Sequence, residues 1–398
     1  MPPPRKLPRN VVALGWVSLL TDAASDMIYP LLPVFLMQLG GGAVALGWIE
    51  GVAEAVSAAV KLFAGRLSDR AAHKKPLVAI GYAVAALTRP LYAIAATPAH
   101  AVAVRALDRV GKGLRGPPRD AIVANAVEAE ARGHAFGFHR MMDNFGGVVG
   151  PVLAFLMLHF AHAPLRTVFA ASVVPGLLSV VVVLIAVREH AAPKADAPKP
   201  DAPHAPKPAH VWTPRVIAYF GAVALFGLAA SGDLFLMRRL TDLGLDTALV
   251  PFAWMSLQLV KGALNVSGGK ASDRYGRKRV LVLAWFVYAV AYGLLALVGS
   301  WPVAWLVLFV YAVHYGLGEG GQRALVAEIV PEAARGRAFG VQLAVEGLAV
   351  LPANVGFGLV YDRFGGSVAF LAGGAVAFAG ALALAAVPIG GRARGALG

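Results

Sequence analysis

The sequence predicts an all-α membrane protein: twelve transmembrane helices arranged as two pseudo-symmetric bundles of six. Three observations carry that expectation. The 398 residues are 58% hydrophobic and only 15% charged, too apolar for a soluble domain that must still meet water over its surface. The apolar residues come in runs of roughly 20, the length that crosses a bilayer. The chain also repeats itself at half its length. Gly65-Arg66-Leu67-Ser68-Asp69-Arg70, followed by His73-Lys74-Lys75, returns as Gly269-Lys270-Ala271-Ser272-Asp273-Arg274-Tyr275-Gly276-Arg277-Lys278-Arg279. Arg132-Gly133-His134-Ala135-Phe136-Gly137 returns 203 residues later as Arg335-Gly336-Arg337-Ala338-Phe339-Gly340. Such self-similarity is the mark of a chain made of two like units.

Taken in order, the runs of the first half lie near 11–38, 42–65, 76–96, 99–127, 134–161 and 166–187. Those of the second half lie near 213–240, 246–268, 278–299, 302–329, 336–361 and 366–388. The first run contains Asp22 and Asp26 and is full length, unlike the short apolar region of a signal peptide, so no cleavage is expected. Between the halves, Ala191–His210 is rich in Pro, Ala, Lys, Asp and His. It buries too little apolar surface to offset its ordering entropy and reads as a flexible linker. The expected division is a lobe over 1–190, a linker over 191–211 and a lobe over 212–398.

The net charge of +14 is spread in a telling way. Basic residues gather at 5–9, 66–75, 132, 194–207, 274–279, 335–337 and 392–394, all on one side of a chain that weaves twelve times. The opposite loops, such as Gly40-Gly41-Gly42 and Gly299-Ser300-Trp301, are nearly uncharged. This is the positive-inside bias, and it puts both termini in the cytoplasm. It also removes nucleic acid as a partner, because no contiguous basic face with base-stacking groups is present. The chain has no cysteine, which removes disulfides and thiolate metal sites.

Together, the two sixes of spans, the repeated Gly-x-x-x-Asp-Arg loop with its basic tail and the central linker resemble the major facilitator superfamily. The resemblance covers essentially the whole chain. It implies a secondary transporter that works by alternating access of two lobes, with its site between them. In that family the loop Asp and basic residues form a charge relay that holds one conformation closed. Gly65, Asp69 and Arg70 match this role in the first copy, and Gly269, Asp273, Arg274 and Arg277 in the second. The first copy departs from the pattern, with Ala72 where the second has Gly276. On the fourth span, Arg109…Gly113 within Asp108-Arg109-Val110-Gly111-Lys112-Gly113-Leu114-Arg115-Gly116-Pro117-Pro118-Arg119-Asp120 matches a motif that the family associates with proton coupling. Gly146-Gly147-Val148-Val149-Gly150-Pro151 resembles the glycine-rich motif of its antiporters. The resemblance implies antiport and efflux in preference to proton-coupled uptake. A non-transporting sensor is the remaining alternative.

Charges deep in a bilayer are costly and mark sites unless they merely pair. Asp108, Lys112, Arg115 and Arg119 recur at helical spacing on one face of the fourth span. Asp22, Asp26 and Tyr29 do the same on the first. At about 1.5 Å per residue, Asp22, Asp26, Arg109, Lys112 and Asp143 fall mid-bilayer. In the first half, Asp22, Asp26, Asp108, Asp120 and Asp143 balance Arg109, Lys112, Arg115, Arg119 and Arg140. One reading is a structural ion-pair network that fixes the packing of the first, fourth and fifth spans. The other is a coupling site, where protonation of Asp22, Asp26 or Asp143 frees a basic partner for substrate. Arg109, Lys112 and Arg115 would then take anionic groups or relay charge. Glu346 keeps an acid 203 residues after Asp143 and is a second coupling candidate, whereas Glu319 with Arg323 reads as a bridge. His314, Tyr315, Asp233, Arg238 and Lys261 are weaker candidates.

Other signals point nowhere. Gly111-x-Gly113-x-x-Gly116 and Gly316-x-Gly318-x-x-Gly321 match a dinucleotide fingerprint, which needs a preceding strand; inside spans, small residues let helices approach. His139-x-x-x-Asp143 has metal-like spacing without a second cluster, and His190, His204 and His210 read as linker residues. No enzyme, no cofactor and no bound metal is expected. The partners are the bilayer, protons and a small-molecule or ion substrate, with the chain a monomer.

Overall fold

The computed structural model describes residues 7–71, 73–128, 131–188, 212–318, 321–331 and 334–389. Among the described residues twelve long spans carry the fold: α1 (Arg9–Gln38), α2 (Ala43–Arg70), α3 (Lys75–Ile94), α4 (Pro98–Asn125), α5 (Arg132–His159), α6 (Leu165–Ala186), α7 (Pro214–Asp242), α8 (Val250–Tyr275), α9 (Arg277–Leu297), α10 (Trp301–Gly318), α11 (Arg335–Phe364) and α12 (Gly366–Ala386), with a short helix, Gly321–Ile329, between α10 and α11. Eleven are long and apolar enough to cross a membrane, and the twelfth, α4, matches them in length at 28 residues. What sets α4 apart is its load of Arg105, Asp108, Arg109, Lys112, Arg115, Arg119 and Asp120. Large apolar side chains face outward inside the helices, Leu348 at 78% exposure and Leu62 at 72%, as lipid contact requires.

Two spans are broken at matching places. In α1 the helix Arg9–Asp26 gives way to a 3-10 turn, Tyr29–Leu31, before resuming as Leu32–Gln38. Pro30, which cannot donate to the helix ladder, falls in the break. In α7 the helix Pro214–Ala229 stops and restarts as Leu234–Asp242. Backbone groups freed at such depth must find partners inside the protein. At the α7 break Tyr288 Oη donates to the carbonyl of Ala229 at 3.2 Å and accepts from the amide of Ser231 at 3.2 Å. Both broken spans end in a left-handed glycine, Gly40 at φ 76° and Gly244 at φ 93°, a conformation that a side chain would penalise.

The contacts gather these elements into two compact units. In the first, α1 packs on α5 and α6, α4 on α2 and α3, and α3 on α6. This unit also takes in Gly232–Leu259, where Leu234–Asp242 lies on Leu32–Gln38 and α2. In the second, Pro214–Ala229 packs on α11 and α12, while α9 packs on α10 and α12. These four pairings repeat four of the five in the first unit. Small details repeat too: Lys75 Nζ donates to the carbonyl of Leu184 at 2.8 Å, and Lys278 Nζ to that of Ala385 at 2.7 Å.

Glycine sets the closest approaches. A Cβ added at Gly150 would lie 2.4 Å from the carbonyl oxygen of Ala23, and one at Gly146 2.5 Å from that of Leu19. These two residues, with Gly147 between them, form the bed on which α1 rests. On α4, Gly111 lies against Gly81 and Ala85 of α3, and Gly113 against Val60 of α2. Two of the three fingerprint-like glycines of α4, Gly111 and Gly113, are therefore packing glycines, while Gly116 has nothing within 4 Å of an added Cβ. In the second unit Gly316 lies against Leu264 of α8, so Gly316 corresponds to Gly113, at an interval of 203 rather than the 205 suggested by aligning the two glycine patterns.

Gly150→Ala is expected to lower stability. The added methyl meets backbone, and overpacking of this kind costs about 1–3 kcal/mol, more than the roughly 1 kcal/mol gained in helix propensity. Gly137→Ala, with nothing within 4 Å of the new methyl, is the matched control and is expected to leave stability unchanged or higher. Thermal unfolding of the detergent-purified protein checks both; equal melting temperatures for the two variants would remove the glycine bed from the account.

A buried charge cluster and the family it belongs to

The centre of the first unit is a carboxylate held by arginines. Asp108 of α4 is 2% exposed. Its Oδ1 accepts from Arg89 Nε at 2.9 Å, and its Oδ2 lies 3.7 Å from Arg109 Nε and 3.8 Å from Arg105 Nη1. Arg89 stands where α3 tightens from α-helix to a 3-10 turn, and its Nη1 also donates to the carbonyl of Thr21 in α1 at 2.8 Å. One guanidinium thus staples α1, α3 and α4. Two more arginines lie over aromatic rings, Arg105 over Tyr29 at 4.6 Å and Arg115 over Tyr82 at 4.5 Å. Such stacking holds a cation without discharging it. Arg105 Nε, Arg109 Nε and Arg115 Nη1 are buried without a hydrogen-bond acceptor, so the arginines outnumber the carboxylates that meet them.

The acids of α1 are placed differently. Asp22 and Asp26 are half-buried and lie on the glycine bed of α5. A Cβ at Gly146 would come 2.8 Å from Asp22 Cβ, and one at Gly147 3.2 Å from Asp26 Oδ2. Among the described residues neither forms a salt bridge. Asp143 of α5 accepts from Ser18 Oγ of α1 and lies 3.4 Å from His139 Nδ1, so the metal-like spacing of His139 and Asp143 is spent within one helix. Lys112 is exposed, although Asp108 and Arg115 of the same expected stripe are buried. Arg119, the last member of that stripe, pairs with Asp120 at 2.8 Å.

Three charged residues belong to the site beyond those expected. Arg89 and Arg105 complete the ring around Asp108. Glu50 of α2, 9% exposed, accepts from Tyr29 Oη at 3.0 Å. All three sit inside apolar runs, and the rule that flagged Asp22 picks them out equally.

The second unit fills the matching places with aromatic residues. Positions 203 residues after Arg89, Asp108 and Lys112 hold Tyr292, Tyr311 and Tyr315. Tyr292 Oη bonds Ser231 Oγ at 2.7 Å, the Tyr288 and Tyr292 rings stack at 4.1 Å, and Lys261 Nζ lies 5.1 Å and 4.5 Å from the centres of Tyr311 and Tyr315. His314 Nδ1 bonds the carbonyl of Ala284 at 2.8 Å. Glu346 Oε1 accepts from Gln342 at 2.8 Å.

Of the loop residues, Gly65 stands in open space and Arg277 lies 3.6 Å from Glu328. Arg274 is exposed, its guanidinium 5.3 Å from the ring centre of Tyr275. Arg238 pairs with Asp242 at 2.9 Å. Glu319 and the linker 191–211 lie outside the described residues, as do the side chains of Asp69, Arg70, Gly269, Asp273 and Arg323.

The description "Major Facilitator Superfamily" matches residues 14–262 and 239–395, which together span nearly the entire chain. The chain belongs to that superfamily. An MFS-type transporter of Methanocaldococcus jannaschii is 27% identical over 96% of this chain and 95% of its own. The multidrug resistance protein MdtH of Yersinia enterocolitica is 30% identical over 34% of this chain and 33% of its own. Among solved structures, the nucleoside transporter NupG shares the fold with a TM-score of 0.78 at 16% identity, covering 95% of this chain and 99% of that one. A bacterial homologue of the human lysosomal transporter Spinster does so at 0.72 and 16%, covering 94% of each. The protein is therefore a multi-pass MFS membrane transporter of a small substrate and not an enzyme.

Arg89→Ala leaves Asp108 without its nearest partner and α1 without its staple. Breaking a buried pair from one side costs about 3–5 kcal/mol, so a large fall in melting temperature is expected. Combining it with Asp108→Asn should recover part of the loss. A double variant no more stable than Arg89→Ala would mean that the pair is not what Arg89 supports.

Proposed function

We propose that this transporter is a proton-coupled antiporter that exports a small solute across the cytoplasmic membrane of a prokaryote. The observation that carries the reading is the state of Asp22 and Asp26: two carboxylates in mid-span, half-buried, without a salt bridge among the described residues and backed by the glycines of α5. Burial without an ionic partner disfavours a carboxylate's charge, so each acid gains by taking a proton or a substrate group that bonds to it. Proton and substrate then compete for the same oxygens, which is the condition for exchange. Arg109, Lys112 and Arg115 set the charge against which these acids titrate. Asp143 and Glu346 assist from the fifth span and its repeat.

The rest of the reading follows the family. Lobes over 1–190 and 212–398, joined by the linker 191–211, alternate as a monomer, with both termini in the cytoplasm. Asp69 with Arg70, and Asp273 with Arg274 and Arg277, latch the basic loops in one state, with Gly65 and Gly269 giving room at the turn. The multidrug resistance relative supports export. A second reading, proton-coupled uptake of a small organic anion, is favoured by the acceptor-free Arg105, Arg109 and Arg115 groups. The two differ in sign, since antiport moves protons against the substrate and symport moves them with it.

Proteoliposomes carrying an internal pH dye decide between them. Amino acids, organic acids, metal ions and cationic drugs are added with and without an imposed pH gradient. The expected outcome is proton movement opposite to the substrate that falls about tenfold or more in Asp22→Asn or Asp26→Asn. Parallel movement selects symport, and substrate flux with no proton movement rejects proton coupling.

A further inference from the structure

At the two breaks the repeat closes on itself. Position 50 of α2 and position 254 of α8 are equivalent, 204 residues apart, and both touch Tyr29. Glu50 Oε2 accepts its hydroxyl at 3.0 Å, and the Trp254 ring lies 4.9 Å from its ring centre. Gly232, 203 residues after Tyr29, lies in the break of α7 directly against Glu50. A Cβ there would fall 2.5 Å from Oε2 and 2.6 Å from Cγ. The glycine is thus the space the carboxyl group occupies. Arg105 lies over the same Tyr29 ring, its guanidinium 4.6 Å from the ring centre.

The charged and titratable groups facing Glu50 are Tyr29 of α1, Arg105 and Arg109 of α4, Glu54 one turn along α2 and Asp233 beside Gly232. None forms a salt bridge with it among the described residues. Its Oε1 is buried without a hydrogen-bond partner, and its Oε2 has the single bond from Tyr29. A neutral acid loses far less than a carboxylate in such a place. The ionised form therefore gains by leaving, and what it must push aside to reach water is the segment after Gly232, held on Leu32–Gln38 and α2.

We infer that Glu50 is a proton-binding site that fastens the Gly232–Asp242 half of α7 to the first unit when protonated and releases it when ionised. It rests on the proton-coupled reading above and adds to Asp22 and Asp26 a second acid at a different place. Substrate competes for the α1 acids, and Glu50 reports the proton to the break in α7. The state of one carboxyl group selects between two arrangements, and a proton shifts that equilibrium only by its differential affinity for them.

The test needs no substrate. The chain has no cysteine, so spin labels can be placed at Ala99→Cys, exposed in the first turn of α4, and at Ser300→Cys, exposed in the uncharged loop that precedes α10. Their separation is measured by pulsed electron resonance at acid and alkaline pH. The wild-type background is expected to lengthen at alkaline pH. Glu50→Gln, fixed neutral, is expected to stay short at both, and Glu50→Asp to keep the response with a displaced midpoint. Gly232→Ala, whose methyl evicts the carboxyl group, is expected to stay long at both. A Glu50→Gln protein that follows pH as the wild type does overturns the inference, as does a wild type that ignores pH. A response lost in Asp22→Asn but kept in Glu50→Gln also overturns it, moving the proton to α1 while antiport stands. A pH response through Glu50 in a protein whose vesicles show no coupled flux would instead sink the antiport reading.

Discussion

A carboxylate removed from water must be met by donors, and in this protein Asp108 is met by three arginines. Much of the first unit is arranged around that need. Arg89 reaches it because α3 tightens into a 3-10 turn, and the same side chain ties off a carbonyl of α1. Arg105 and Arg115, in excess of the acids, lie over the rings of Tyr29 and Tyr82. The polar cost of placing seven acidic and basic residues, besides His100, on α4 is thereby spread over α1, α2 and α3. No single helix could carry it, because an unmet ion in hydrocarbon costs several kcal/mol.

Close approach is the complement of that electrostatic demand. Side chains as short as Asp cannot bridge helices that stand apart, so glycines bring the backbones together. Gly146 and Gly150 seat α1, while Gly111 and Gly113 set α4 between α3 and α2. The acids of α1 consequently face glycine, which can offer them no charge. That neither forms a salt bridge among the described residues follows from the same packing that joins the helices.

Much of this architecture is readable in the sequence. Runs of about 20 apolar residues and the recurrence of the Asp-Arg loop at half length specify twelve spans in two sixes. The breaks are less readable: Pro30 marks the first, but nothing as plain marks the second, where Ser231 and Gly232 look like ordinary span residues. The site is readable by residue type and not by partner. Helical spacing put Asp108, Lys112, Arg115 and Arg119 on one face, yet Lys112 is exposed and Arg119 turns to Asp120. Arg89, the nearest partner of Asp108, lies inside a different apolar run, so its charge is visible in the sequence while its pairing with Asp108 is not. Partners come from tertiary packing, and spacing along one helix carries no information about the next. The glycine pattern also misled by two residues, because in the second unit His314 stands where Gly111 stands in the first, and only Gly316 retains the contact.

The unequal chemistry of the two units has an electrical consequence. Ions cluster in one six-helix half, and tyrosines take their places in the other. Moving one elementary charge through the membrane potential changes its energy by about 2.3 kcal/mol per 100 mV, and a neutral phenol feels almost none of this. A rearrangement that moves net charge in the first half is therefore work done with or against the voltage, and in the second half the charges that feel it include Lys261 and Glu346. The voltage thus meets different groups in the two halves, an arginine-rich cluster in one and a few ions among tyrosines in the other.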